Sequence, residues 1–151
     1  MTYTTDTAYF HNNDIEKVCE RIDEITRSIK KTCVYNALST IAVKNEVKDL
    51  LESLVDKRNM LQALCADFDL EKNRQLTANI LACTLYISNT LSYRLVGEAR
   101  TEGFQNDETC RNMKFAMGRV RALWYAVMYT NLGEVAEELI NEQLTEEDEE
   151  D

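Results

Sequence analysis

The chain predicts an all-α fold, an antiparallel bundle of four or five helices, possible elongation included, and three observations carry that prediction. Proline is absent, the four glycines (Gly97, Gly103, Gly118, Gly133) all fall in the last third, and apolar residues recur at helical spacing over most of the length. A sandwich, a barrel or a nucleotide-binding α/β fold needs more turn residues than this. With 151 residues, 44% of them hydrophobic and 29% charged, the composition fits one globular domain. Such a chain buries roughly two thirds of the surface its unfolded form exposes.

Residues 1–12 read as a flexible arm, with Tyr3, Tyr9 and Phe10 as its apolar anchors. The bundle is predicted over 13–144, and an acidic, disordered tail over 145–151, which has nothing to bury. Asn13 or Asp14 offers a helix N-cap, after which Ile15, Val18, Ile22, Ile25 and Ile29 alternate spacings of three and four. A second seam runs through Val47, Leu50, Leu54, Leu61, Leu64 and Phe68, out of phase with the first. Between them Thr32-Cys33-Val34-Tyr35-Asn36 and Ser39-Thr40-Ile41 crowd β-branched and capping residues, so a break or kink is expected there.

Asp69 is a plausible cap for the next helix. Residues 75–93, QLTANILACTLYISNTLSY, carry no charge, but their amides and hydroxyls make membrane insertion too costly. A buried central helix is predicted instead, with Leu76, Ile80, Ile87, Leu91 and Leu95 on its inner stripe. Gly97 and TEGFQND (101–107) are predicted to form a loop. In MKFAMGRVRALWYAVMY (113–129), Met117, Val120, Trp124, Val127 and Met128 make one apolar face, and Gly118, Ala122 and Ala126 recur on another where a backbone could approach closely. Asn131-Leu132-Gly133 reads as a helix end or kink. Val135, Leu139, Ile140 and Leu144 then form a short stripe opposed by Glu134, Glu137, Glu138 and Glu142.

The formal charge of −10 is segregated. Residues 1–133 hold all 17 Lys and Arg and 17 of the 27 acids, so they sum to zero. Residues 134–151 hold the other ten acids and no base. Direct nucleic-acid binding and membrane attachment are not expected, because both reward clustered Lys and Arg. Five cysteines (Cys19, Cys33, Cys65, Cys83, Cys110) show no CxxC pair or zinc spacing. The opening MTYTTDTAYFHNND lacks a basic n-region and an apolar run. Free thiols and a cytoplasmic setting (a host's cytoplasm if the chain is viral) are the expectation.

No catalytic, cofactor-binding or metal site is predicted, and the protein is read as a non-enzyme. His11 is the single histidine, ExxH pairs are absent, and there is no glycine-rich phosphate loop. NLGEVAEEL (131–139) resembles the magnesium-binding segment of all-helical nucleotide pyrophosphohydrolases of the MazG type, through the Gly133-Glu134 step and Glu137. Thr130 and Asn131 stand where that motif has acids, which removes two metal ligands.

The basic residues Arg111, Lys114 and Arg121 can share a face of their helix as an anion-binding patch; Arg119 cannot. Tyr125 and Tyr129 lie near them, although aromatics at helical spacing are more often core. The acidic end is the sharper signal: Glu134, Glu137, Glu138, Glu142, Glu146, Glu147, Asp148, Glu149, Glu150 and Asp151 form the predicted partner-binding set. Closely spaced carboxylates offer a basic groove the charge pattern of a phosphate backbone. Leu132, Glu134, Ala136, Glu137, Leu139, Asn141, Glu142, Leu144 and the acids after them resemble the carboxyl end of the DNA-mimic anti-restriction protein of T7-type phages. The resemblance implies an inhibitor or modulator that occupies the basic surface of a nucleic-acid-handling protein. That family is acidic throughout its body, whereas the body here is neutral, so a local lure is implied rather than mimicry of a whole duplex. The alternative is a self-assembling scaffold or adaptor, a homo-oligomer through the heptads at 15–29 and 47–68.

Overall fold

The structure, a computed structural model, describes residues 3–66, 73–102, 107–130 and 132–150, and the side chains of 15–32, 34–65, 73–99, 108–130 and 132–142. Six helices appear among the described residues, in the order α1 (Tyr3–Lys30), α2 (Cys33–Asn36), α3 (Ile41–Ala66), α4 (Arg74–Glu102), α5 (Asp107–Met128) and α6 (Gly133–Glu150). The fold is an all-α bundle, as the absence of proline and the helical periodicity require.

The break between the first two seams has a visible cause. Thr32 turns its hydroxyl onto the Ser28 carbonyl at 2.6 Å and accepts the amide of Val34, which ends α1 and caps α2. Thr40 then accepts the Val43 amide at 3.1 Å as the N-cap of α3. Short polar side chains that bond their own backbone offer the chain an alternative to continuing the helix.

Four helices form a ring of contacts, α1 to α3, α3 to α4, α4 to α5 and α5 back to α1. The α1/α3 pair is antiparallel, since Asp23 meets Arg58 across a turn at 31–40, and α3/α4 is antiparallel, since Glu46 meets Arg94 while Asp56 lies beside Cys83. The connection from Glu102 to Asp107 is too short for anything but a return of α5 along α4. Helix α6 lies outside the ring, mainly against α4. That leaves α4 with neighbours on three sides, which accounts for the uncharged stretch 75–93.

The core runs the length of the ring. Ile15, Val18, Ile22, Ile25 and Ile29 are all buried, as are Val47, Leu54 and Leu61, with Leu50 and Leu64 packed against them. Over their described residues, both heptad seams are therefore packed inside this chain. Phe68 and Asp69 lie outside the described residues.

Elsewhere the structure departs from the sequence pattern in physically explicable ways. Helix α1 starts at Tyr3, inside the expected arm, because no Gly or Pro separates 3–12 from the strong seam and helix growth beyond a nucleus is inexpensive. Helix α6 continues through Glu150 rather than giving way at Thr145, since Glu, Gln and Leu are good helix formers; Asp151 lies outside the described residues. Gly97 sits within α4 rather than in a loop, and of the TEGFQND stretch 103–106 lie outside the described residues. Leu76 is 52% exposed, because the inner stripe of α4 is centred on Thr77, Leu81, Thr84, Ser88, Leu91 and Leu95. Those hydroxyls are concealed by bonding their own helix: Thr77 to Asn73 O, Thr84 to Ile80 O and Ser88 to Leu85 O, at 2.8–2.9 Å. A buried polar group so satisfied costs little. On α5, Gly118 is exposed with open space where a side chain would stand, so no backbone of the described residues approaches it.

Candidate functional site

Two helix faces of opposite sign stand out. The first belongs to α6. Gly133 fixes where it begins: a Cβ there would lie 2.7 Å from the Met128 Cα and 2.8 Å from the carbonyl oxygens of Val127 and Met128. The turn is closed by Gly133 N donating to Thr130 O at 3.1 Å and by Thr130 Oγ1 donating to Val127 O at 2.7 Å. Ala136 and Ile140 are buried, and Leu139 packs against the core. Since helical residues three and four apart share a face, Glu134, Glu137, Glu138 and Glu142 fall together on the other side, and all four are exposed. Glu134, in the first turn, also sits favourably against the positive end of the helix dipole. For Glu146, Glu147, Asp148, Glu149 and Glu150 the backbone is that of α6, and their side chains lie outside the described set.

The second face belongs to α5. Arg111, Lys114, Phe115, Gly118, Arg121 and Tyr125 lie at successive helical spacings and are exposed, with Tyr129 just beyond the helix end. Opposite them Met113, Ala116, Val120, Leu123 and Val127 enter the core. Phe115 is 58% exposed, Tyr125 51% and Tyr129 78%, so these rings are surface and not core. Trp124 meets Tyr125 edge to face, with centroids 5.2 Å apart, which braces the outward ring. Arg111, Lys114 and Arg121 have no ion-pair partner among the described residues, and no acid occurs between Glu108 and Glu134. Arg119 points elsewhere, to Glu24 of α1 at 3.4 Å. The cations were legible from spacing; the aromatic half of the stripe was not, because exposure depends on which side of α5 the bundle occupies.

Other polar groups are structural in character. Arg58 pairs with Asp23, Nη2 donating at 3.4 Å, and its carbonyl accepts the Cys19 thiol at 3.6 Å. Burial, with Cys65 close by, pushes the Cys19 thiol up to about 12. Cys19, Cys83 and Cys110 are free thiols. Glu98 is only 5% exposed; Ser39 Oγ donates to one of its oxygens at 2.8 Å and the other has no hydrogen-bond partner among the described residues. A shallow hollow of about 260 Å³ between α3 and α4 is lined by Ser53, Asp56, Lys57, Cys83, Tyr86 and Ile87. Among the described residues no cluster of three or more His, Cys, Asp or Glu could hold a metal ion, and no helix is long and apolar enough to cross a membrane. Thr130, where the pyrophosphohydrolase motif has an acid, is buried in the α5–α6 turn.

The fold and these faces define a helical bundle that displays segregated charge. The chain matches no protein-family model, and no curated protein or solved structure matches it.

Proposed function

We propose that this protein is a non-enzymatic inhibitor or modulator, viral in origin, whose acidic C-terminal segment binds or blocks a protein with a basic nucleic-acid-handling surface in the cytoplasm. One observation carries the reading. Glu134, Glu137, Glu138 and Glu142 form an exposed row on a helix whose opposite side is anchored in the core through Ala136 and Ile140. Charges held on a docked helix keep their spacing when a partner arrives, so less ordering cost is left at binding. Glu146, Glu147, Asp148, Glu149, Glu150 and Asp151 extend the same run of sequence. The partner gives up counterions to these acids as it would to a phosphate backbone.

The test is competition. A basic DNA-binding protein captured from the native host by the full chain should be released by duplex DNA, and a variant with Glu134, Glu137, Glu138 and Glu142 all changed to Gln should fail to capture it. Capture that persists in the Gln variant would contradict the reading.

A further inference from the structure

We infer that the outward face of α5 is a docking site for the acidic C-terminal segment of a second copy of this chain. The face presents Arg111, Lys114 and Arg121 interleaved with Phe115, Tyr125 and Tyr129, and no acid lies among them. An exposed apolar patch with cations that have no ion-pair partner among the described residues is a contact surface in waiting, and Tyr and Arg are the residues that dominate such contacts.

Charge decides the occupant. Pairing α5 with α5 of another copy would bring together two faces that each carry Arg111, Lys114 and Arg121 and no acid, which is unfavourable. The occupant must bring acids, and residues 134–151 bring ten with no base. The lengths agree: Arg111 to Tyr129 and the 18 residues of α6 each span about 27 Å at the helical rise. Within one chain α6 packs mainly against α4, with Ala136 and Ile140 buried, while the α5 stripe lies on the side of its helix opposite the buried residues Val120 and Val127. The contact is therefore between different patches on two copies, and it closes as a reciprocal pair or a ring. It also sets the second copy in competition with the basic partner for the same acids.

The experiment is the mass of the full-length protein in solution, by light scattering, at about 50 mM and about 500 mM salt, where screening differs several-fold. The expected result is a mass that roughly doubles or more at low salt and returns to the monomer at high salt. The combined variant Arg111→Glu, Lys114→Glu, Arg121→Glu stays monomeric at both. Mixing it with a Glu146→Lys, Glu147→Lys, Glu149→Lys, Glu150→Lys variant restores a complex, which also shows that both variants are folded. A wild-type chain monomeric at low salt, or a triple variant of unchanged mass, would overturn the inference. So would a monomer that binds single-stranded DNA through this face, which would make it a nucleic-acid surface. Loss of self-association in the α5 variant leaves capture of the basic partner intact, so the two readings fail separately.

Discussion

Arg119 Nη1 lies 3.4 Å from Glu24 Oε2, and Glu24 also receives Arg21 Nη1 at 3.0 Å. One carboxylate of α1 thus holds a cation of its own helix and one of α5. This relationship separates the two kinds of arginine on α5: Arg119 is committed to the bundle, whereas Arg111 and Arg121 are left to face outward. Glu24 and Arg119 are partly exposed, so their pair is worth little by itself, about 0.5 kcal/mol. Glu24→Gln should lower the urea-unfolding stability by no more than about 1 kcal/mol, while Arg119→Glu, which sets two carboxylates face to face, should cost more.

The Ser39–Glu98 contact gives a sharper test of how the connection between α2 and α3 packs on α4. The Glu98 carboxylate is buried with one oxygen unpartnered among the described residues, so Ser39→Ala removes a side-chain donor from it and should destabilise by about 1–3 kcal/mol. Glu98→Gln keeps an acceptor for Ser39 and removes the charge, and should cost less than Ser39→Ala. Chemical denaturation of the two variants decides the order.

Gly133→Ala should weaken the seat of α6. The new methyl would press on backbone atoms of Val127 and Met128, which cannot yield without opening the end of α5. A loss of about 1–3 kcal/mol is expected, together with faster proteolytic cleavage near 129–133. Unchanged stability and protection would mean that α6 is not fixed by this turn.

Cys19 links packing to pH. Its folded thiol titrates at about 12 against an ordinary 9.0, chiefly because it is buried and secondarily because Cys65 is near. A raised pKa means the folded state holds the proton more tightly. The stabilisation is complete below pH 9.0 and is lost as pH rises towards about 12. Wild-type stability should therefore fall more steeply over that window than that of Cys19→Ala, measured by urea unfolding at a series of pH values. Near neutrality the exposed Cys83 should react with a thiol reagent well before Cys19.

The legibility of this fold followed the strength of local signals. The isoleucine seam of α1, the break at 32–40 and the central place of α4 were all readable, because each rests on residues close in sequence. Leu76 misled because the true stripe of α4 passes through Thr77, Thr84 and Ser88, whose hydroxyls are hidden by bonds to their own helix and so look polar only on paper. Gly97 reads as a loop because glycine costs a helix about 1 kcal/mol, a penalty that the burial of Leu91, Leu95 and Glu98 on the same helix outweighs. Of the charged faces, the acids of α6 were legible from composition and spacing. The tyrosines of α5 were not, since only the assembled bundle decides which side of a helix meets water. Glu98 was invisible for the same reason: its partner lies 59 residues away.

The most direct test of the central claim is the salt dependence of the complex between the full chain and its basic partner. With the acids of α6 acting as a phosphate-like row, the logarithm of affinity should fall linearly with the logarithm of salt concentration, and changing Glu134, Glu137, Glu138 and Glu142 to Gln should reduce that slope markedly. An affinity indifferent to salt, or a slope untouched by those four substitutions, would contradict the account.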